Sequence, residues 1–199
     1  MAARECALKS ARAYTKGKRA EQEAGTRQRI VEAALALHAE VGPTSTTISM
    51  IAERAGVQRH TVYAHLPDDR AVLMACSGLH AERAPLPSSD LWAGINDPET
   101  RLRTALTALY AWFTRNEAVT GHVLRDAERN PLLREVSDLR FGVPLGAIHA
   151  TFADGLTERQ RAALSLALSF YTWRTLRDAD LTPDAVVELM LRTVLSATA

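Results

Sequence analysis

Gln58, Arg59 and His60 follow directly after the turn Ala55-Gly56-Val57, and Thr46 and Thr47 precede it. These residue types at this spacing suit hydrogen bonding to the edges and backbone of duplex DNA. An Arg can pair with guanine, and a Gln with adenine, in the major groove. Thr46 and Thr47, with the amides of a helix N-terminus, suit phosphate oxygens, which position a protein without specifying sequence. Other chemistries find less support. Cys76 and His80 have the i, i+4 spacing of a metal clamp, but no third and fourth ligand lie near in sequence, and structural zinc takes four. Nothing around Cys76 signals the activated thiolate of a redox sensor. No nucleophile elbow, phosphate loop or zincin motif occurs. We therefore expect no catalytic residue, no metal and no cofactor.

Positioning these side chains requires three helices. Ile30, Ala34, Leu37 and Val41 fall on one helical face. Thr26 stands where an N-cap belongs, and Gly42-Pro43 closes the helix. Ile48, Ile51, Ala52 and Ala55 form the face of a second helix, capped by Ser45, Thr46 or Thr47. Gly56 permits the positive φ of a sharp stop. The third helix runs roughly from Gln58 to Leu66. Val62 and Leu66 point inward, leaving Gln58, Arg59, His60, Thr61, Tyr63 and His65 exposed. Pro67 ends it, and Asp68 can cap a fourth helix carrying Val72 and Leu73. A short second helix, a Gly in the turn and a polar third helix make a helix-turn-helix, whose third helix enters the major groove.

The run Thr46-Thr47-Ile48-x-x-Ile51-Ala52-x-x-Ala55-Gly56-Val57, with Thr61-Val62-Tyr63-x-His65-Leu66-Pro67, resembles the DNA-binding domain of the TetR family of bacterial transcriptional regulators. The match is tight over about a quarter of the chain and looser beyond it, as at Tyr110 to Glu117. The resemblance implies that Thr61, Tyr63 and His65 contact phosphates or nearby bases. Three positions depart from the family pattern. Leu66 stands where Phe is usual, and His60 where a small residue is usual. Asp69 replaces a Lys that touches a phosphate, and its carboxylate would repel the DNA backbone while Arg70 stands next to it.

Charge is distributed rather than large. The net charge is +1, yet residues 1–75 hold 11 Lys and Arg against 8 Asp and Glu, and residues 76–199 hold 13 against 15. A basic N-terminal half fits docking on phosphates. Residues 1–25 form a basic extension, with Arg4, Lys9, Arg12, Lys16, Lys18 and Arg19 against Glu5, Glu21 and Glu23. It reads as a solvated, partly disordered tail or as an arm adding DNA contacts. The helix-turn-helix domain then spans residues 26–73, and a second domain spans residues 74–199. No apolar run is long enough for a membrane span, the N-terminus lacks a secretory core, and two cysteines make no disulfide framework. These features suit a cytoplasmic protein that does not engage membranes.

The second domain reads as helical throughout, giving an all-α chain. Asp97-Pro98, Asn130-Pro131 and Thr182-Pro183 each place a cap before a Pro at the first helical position. Thr157 to Gln160 is a capping box. Residues 84–96 form the longest loop, and Phe141 to Gly146 must kink or break a helix. Leu164 to Phe170 alternates like a strand, but its length and Ala content favour helix. That stretch and the run from Val186 to Leu195 are apolar nearly all round, so their second faces need cover. A homodimer through the last two helices supplies it, as the resemblance also implies, with core packing within one monomer as the alternative. Such a dimer presents two recognition helices about 34–36 Å apart and reads a palindromic operator.

By resemblance, the second domain holds a pocket for a small-molecule effector that releases the DNA, as in a repressor. Tyr110, Trp112, Phe113, Asn116, His122, Arg125, His149, Phe152, Phe170 and Trp173 combine aromatic walls with a few polar groups, the mixture of a ligand pocket. A DNA-binding dimer without an effector, and an enzyme with an incidental helix-turn-helix, are the alternatives.

Overall fold

The computed structural model describes the backbone of residues 2–197 and the side chains of residues 17–197. All regular structure among them is helical, and the chain divides into two compact units, Met1–Leu79 and His80–Ala199. The first unit contains α1 (Ala2–Glu40), α2 (Ile48–Ala55), α3 (Arg59–His65) and most of α4 (Asp69–Arg83). Its core is the set of stripes read from the sequence. Ile30, Ala34 and Leu37 from α1 meet Ile51, Ala52 and Ala55 from α2, Val62 and Leu66 at α3, and Val72 and Cys76 from α4. Val41 falls just past the end of α1 and is 39% exposed, so it does not extend that face.

The start of α1 also differs from the sequence expectation. Thr26 is not a cap but an interior residue, its hydroxyl donating to the Gln22 carbonyl one turn back (2.9 Å). Ala20 to Ala24 are strong helix formers, and Arg19 pairs with Glu23 at i, i+4 (3.1 Å). The helix therefore runs on through the basic extension. Lys18, Arg19, Glu21 and Glu23 are exposed to solvent. The side chains of Arg4, Lys9, Arg12 and Lys16, on which a DNA arm would depend, lie outside the described residues, as does that of Cys6.

The second unit contains the remaining helices: α5 (Pro98–Ala127), α6 (Pro131–Ser137), α7 (Val143–Ala153), α8 (Glu158–Ala167), α9 (Phe170–Arg177) and α10 (Pro183–Ser196). The four caps read from the sequence start four of them. Asp97, Asn130, Thr157 and Thr182 accept from the backbone amides of Thr100, Leu133, Gln160 and Ala185, and Gln160 returns the bond to Thr157. Residues 84–96 form the loop before α5, where a single 3-10 turn (Ser89–Leu91) delivers Trp92 into the core. The Phe141 to Gly146 segment kinks through one π turn (Asp138–Gly142), with Pro144 in the first turn of α7.

Two interruptions were not read from the sequence. Asn116 leaves helical geometry inside α5 (φ −117°, ψ 16°), its side-chain amide donating to the Trp112 carbonyl (2.9 Å). The run from Leu164 to Phe170 is helical, as chosen over strand, but it breaks at Leu168-Ser169. Ser169 takes an extended backbone and accepts from the Thr172 amide, so it caps α9 as a separate helix. Nor are these helices apolar on two equal faces. Val186, Val187, Met190, Leu191 and Val194 are buried within the unit, which leaves Leu189 and Leu195 of α10 and Leu166 of α8 exposed.

Candidate nucleic-acid interface

The second and third helices are held so that one polar surface faces outward. Thr47 caps α2 by accepting from the Met50 amide (3.2 Å), and Gly56 closes it in the left-handed region (φ 66°, ψ 40°) with its N–H reaching the Ala52 and Glu53 carbonyls. A carbon at the Gly56 Cβ position would meet nothing within 4 Å, so backbone conformation alone favours glycine here. Arg54 of α2 grips Glu40 at the end of α1 through both carboxylate oxygens (2.5 and 2.8 Å). The Arg54 hydrogen bond holds the Glu40 carboxyl below its ordinary range.

On α3, Val62 is fully buried and Leu66 closes the helix at 2% exposure, which turns the opposite side outward. Gln58, Arg59, His60 and Tyr63 are exposed there, whereas Thr61 and His65 are half-buried at the flanks rather than fully exposed. Gln58 is the N-cap position of α3 and makes no side-chain cap bond, so its amide is not committed to the helix end. The two threonines differ. The Thr46 hydroxyl donates its proton to the Gly42 carbonyl (2.9 Å). Thr47 uses only an oxygen lone pair for its cap, which leaves its proton for an acceptor such as phosphate. Asp68 accepts from the Ala71 amide (2.7 Å) and starts α4, with exposed Asp69 in its first turn. An acid there favours the helix dipole, and the same carboxylate would oppose a phosphate brought near it.

Cys76 is committed inside the first unit. Its sulfur lies 3.3 Å from His38 Nδ1 and bonds the Leu73 carbonyl, and burial pushes the thiol up to about 12. His80 packs its ring edge against Trp112, and burial lowers its pKa. Among the described residues, no three His, Cys, Asp or Glu side chains gather as a metal site, and no helix is long and apolar enough to cross a membrane.

The ten residues put forward as a pocket fall into four places in the second unit. Tyr110, Trp112, Phe113, Asn116, Phe170 and Trp173 are packed together in its core. Phe113 lies 5.5 Å from both Phe170 and Trp173, ring centre to ring centre. The polar ends of this cluster are bonded within the unit. The Tyr110 hydroxyl donates to the Ala167 carbonyl (2.8 Å), and Trp112 Nε1 donates to the Ala84 carbonyl (2.9 Å). Burial raises the Tyr110 phenol above its ordinary value. His149 sits between α7 and α8, its Nε2 3.2 Å from the Ser165 hydroxyl. Phe152 packs on Trp92 (5.8 Å) under Arg101 (5.5 Å). Only His122 and Arg125 line an open cleft, of about 690 Å³. There they meet Arg115, Tyr171 and Arg174, which sequence reasoning missed. The legible part of that signal was the stripe Ala118, Gly121, His122, Arg125 on α5. Tyr171 and Arg174 come from a helix some fifty residues later.

Comparison with known proteins agrees with this construction. Residues 30–75 match the model of the N-terminal domain of bacterial regulatory proteins of the tetR family. Most of the chain shares its fold with solved regulators. A TetR-like transcriptional regulator from Rhodococcus sp. RHA1 has 17% identity and a TM-score of 0.60, over 85% of this chain and 93% of that one. The fatty acid degradation regulator FadR from Bacillus halodurans has 19% identity and a TM-score of 0.60, over 86% and 95%. A TetR family transcription regulator from Marinobacter aquaeolei VT8 has 19% identity and a TM-score of 0.58, over 89% and 97%. No curated protein matches the chain in sequence. With the helix-turn-helix geometry and the matched segment together, residues 30–75 form a tetR-family N-terminal domain, and the chain has the fold of solved regulators that carry such a domain.

Proposed function

We propose that this protein is a cytoplasmic, non-enzymatic repressor that binds a palindromic operator as a homodimer and releases it when a small-molecule effector binds the second unit. The observation that carries the reading is the outer side of α3. Gln58, Arg59, His60 and Tyr63 are exposed there while Val62 and Leu66 anchor the helix beneath them. Arg59 reads guanine and Gln58 reads adenine. Thr47, Thr61 and His65 hold the backbone or nearby bases, whereas the Thr46 hydroxyl stays on the Gly42 carbonyl. The exposed Leu166, Leu189 and Leu195 on α8 and α10 support a dimer through the C-terminal helices. Effector binding favours a dimer whose recognition helices no longer match successive major grooves. By linkage, DNA then weakens effector binding by the same factor. The fatty acid degradation regulator among the structural neighbours makes fatty acids a first class of effector to screen.

Selection of bound duplexes from a random pool at two salt concentrations tests the reading. A palindromic motif with half-sites one turn apart and steep salt dependence is expected. Binding without sequence preference would point instead to an architectural role.

A further inference from the structure

The cleft between α5 and α9 carries an imbalance of charge. Of its two acids, Glu117 is bound by Arg177, while Glu128 accepts only from the neutral Tyr171 hydroxyl (3.4 Å) and keeps one negative charge against the cleft's arginines. Arg125 pairs with Asp126 (2.8 Å). Arg115 and Arg174 also line the cleft, and neither has a carboxylate partner among the described residues. Arg174 is nevertheless held in place, its guanidinium lying 5.6 Å from the Phe170 ring centre and 5.2 Å from that of Tyr171. The two rings occupy its face and leave N–H donors along its edge. At Gly121, a Cβ would sit 3.6 Å from Arg174 Nη1, so a larger side chain there would take the ground beside that guanidinium.

We propose that this cleft binds a small organic anion, a carboxylate or phosphate monoester on an aromatic or short apolar body, with Arg115 and Arg174 as its anchors. The planar guanidinium fork matches both anions. Ring stacking fixes Arg174 before the ligand arrives, which lowers the ordering cost of binding. Tyr171 and Ala118 offer the apolar body a surface, and the cleft volume lies in the range of small-molecule sites. The proposal concerns binding and does not depend on the reading of the protein as a repressor.

Titration calorimetry on the full chain with benzoate, phenyl phosphate and neutral benzamide tests it. At least one anion binds, and benzamide binds roughly tenfold more weakly or not at all. Arg174→Gln and Arg115→Gln each weaken the anion about ten- to a hundredfold. Preference for benzoate identifies a carboxylate site, and preference for phenyl phosphate a phosphate site. Equal binding of benzamide, unchanged affinity in both variants, or no heat with either anion at millimolar concentration overturns the proposal. Thermal melts accompany each variant. If Arg174→Gln loosens the fold, the exposed Arg115→Gln decides. Anion binding that leaves operator affinity unchanged would keep the cleft and remove it only as the repressor's effector site.

Discussion

The two units of this chain build their surfaces in opposite ways. In the first, the polar groups that suit DNA lie within twenty residues, from Thr46 to His65, and local rules place them: a Thr cap, a left-handed Gly and the buried Val62 beneath α3. In the second, the cleft joins α5 to a helix fifty residues later, and the aromatic residues nearest in sequence are buried beneath it. A site written in adjacent helical turns can be read from spacing. A site assembled by packing cannot, because spacing does not say which of two polar stripes faces a cavity.

The largest effect should come from the core of the second unit. Phe113→Ala removes a fully buried ring touching Phe170 and Trp173 and should cost about 3–5 kcal/mol, seen as a lower calorimetric melting temperature. Arg59→Ala should leave melting unchanged. It should lose about 1–3 kcal/mol on the operator and relax one base position per half-site. Equal losses on operator and random DNA would remove Arg59 as a base reader. Gly56→Ala forces a side chain into the left-handed region without any clash and should cost about 1 kcal/mol in urea unfolding. A value near zero would mean that the turn can adopt another closure.

Asp69→Lys should strengthen binding to all sequences alike and steepen the salt slope by about one phosphate contact. A sequence-selective gain would place Asp69 against a base instead. The smallest effects concern two surface carboxylates, one in each unit. Hydrogen bonds from Arg54 to Glu40, and from Arg103 and Arg192 to Glu188, lower both carboxyl pKa values in the folded state. Their stabilisation is therefore present above the unfolded carboxylate range and fades as pH falls through the lowered folded values. Glu40→Gln and Glu188→Gln should each flatten the acid limb of stability slightly, with no change near pH 7 in its slope.

Much of the fold was legible because caps are local. Asp97, Asn130, Thr157 and Thr182 start their helices by hydrogen bonds that reach only three residues ahead. What escaped was decided by competition. Thr26 has cap chemistry, but the helix formers before it carry α1 straight through, and its hydroxyl turns back to Gln22 instead. Ser169 lies in a run of helix-compatible residues, yet its cap divides α8 from α9. The apolar character of α10 was visible, but its burial by α5 and α8 within the same chain was not.

The sequence by itself determined the all-α class, the helix-turn-helix and the identities of the residues on its outer side, since those follow from period, caps and one glycine turn. Only the tertiary structure decided that most of the candidate pocket aromatics are packed core, and that Arg115 and Arg174 share a cleft in which neither pairs with a carboxylate among the described residues. The physical reason is that amphipathic period specifies which side of a helix is buried but not its neighbour. The charge of a cleft depends on pairings made between helices distant in the chain.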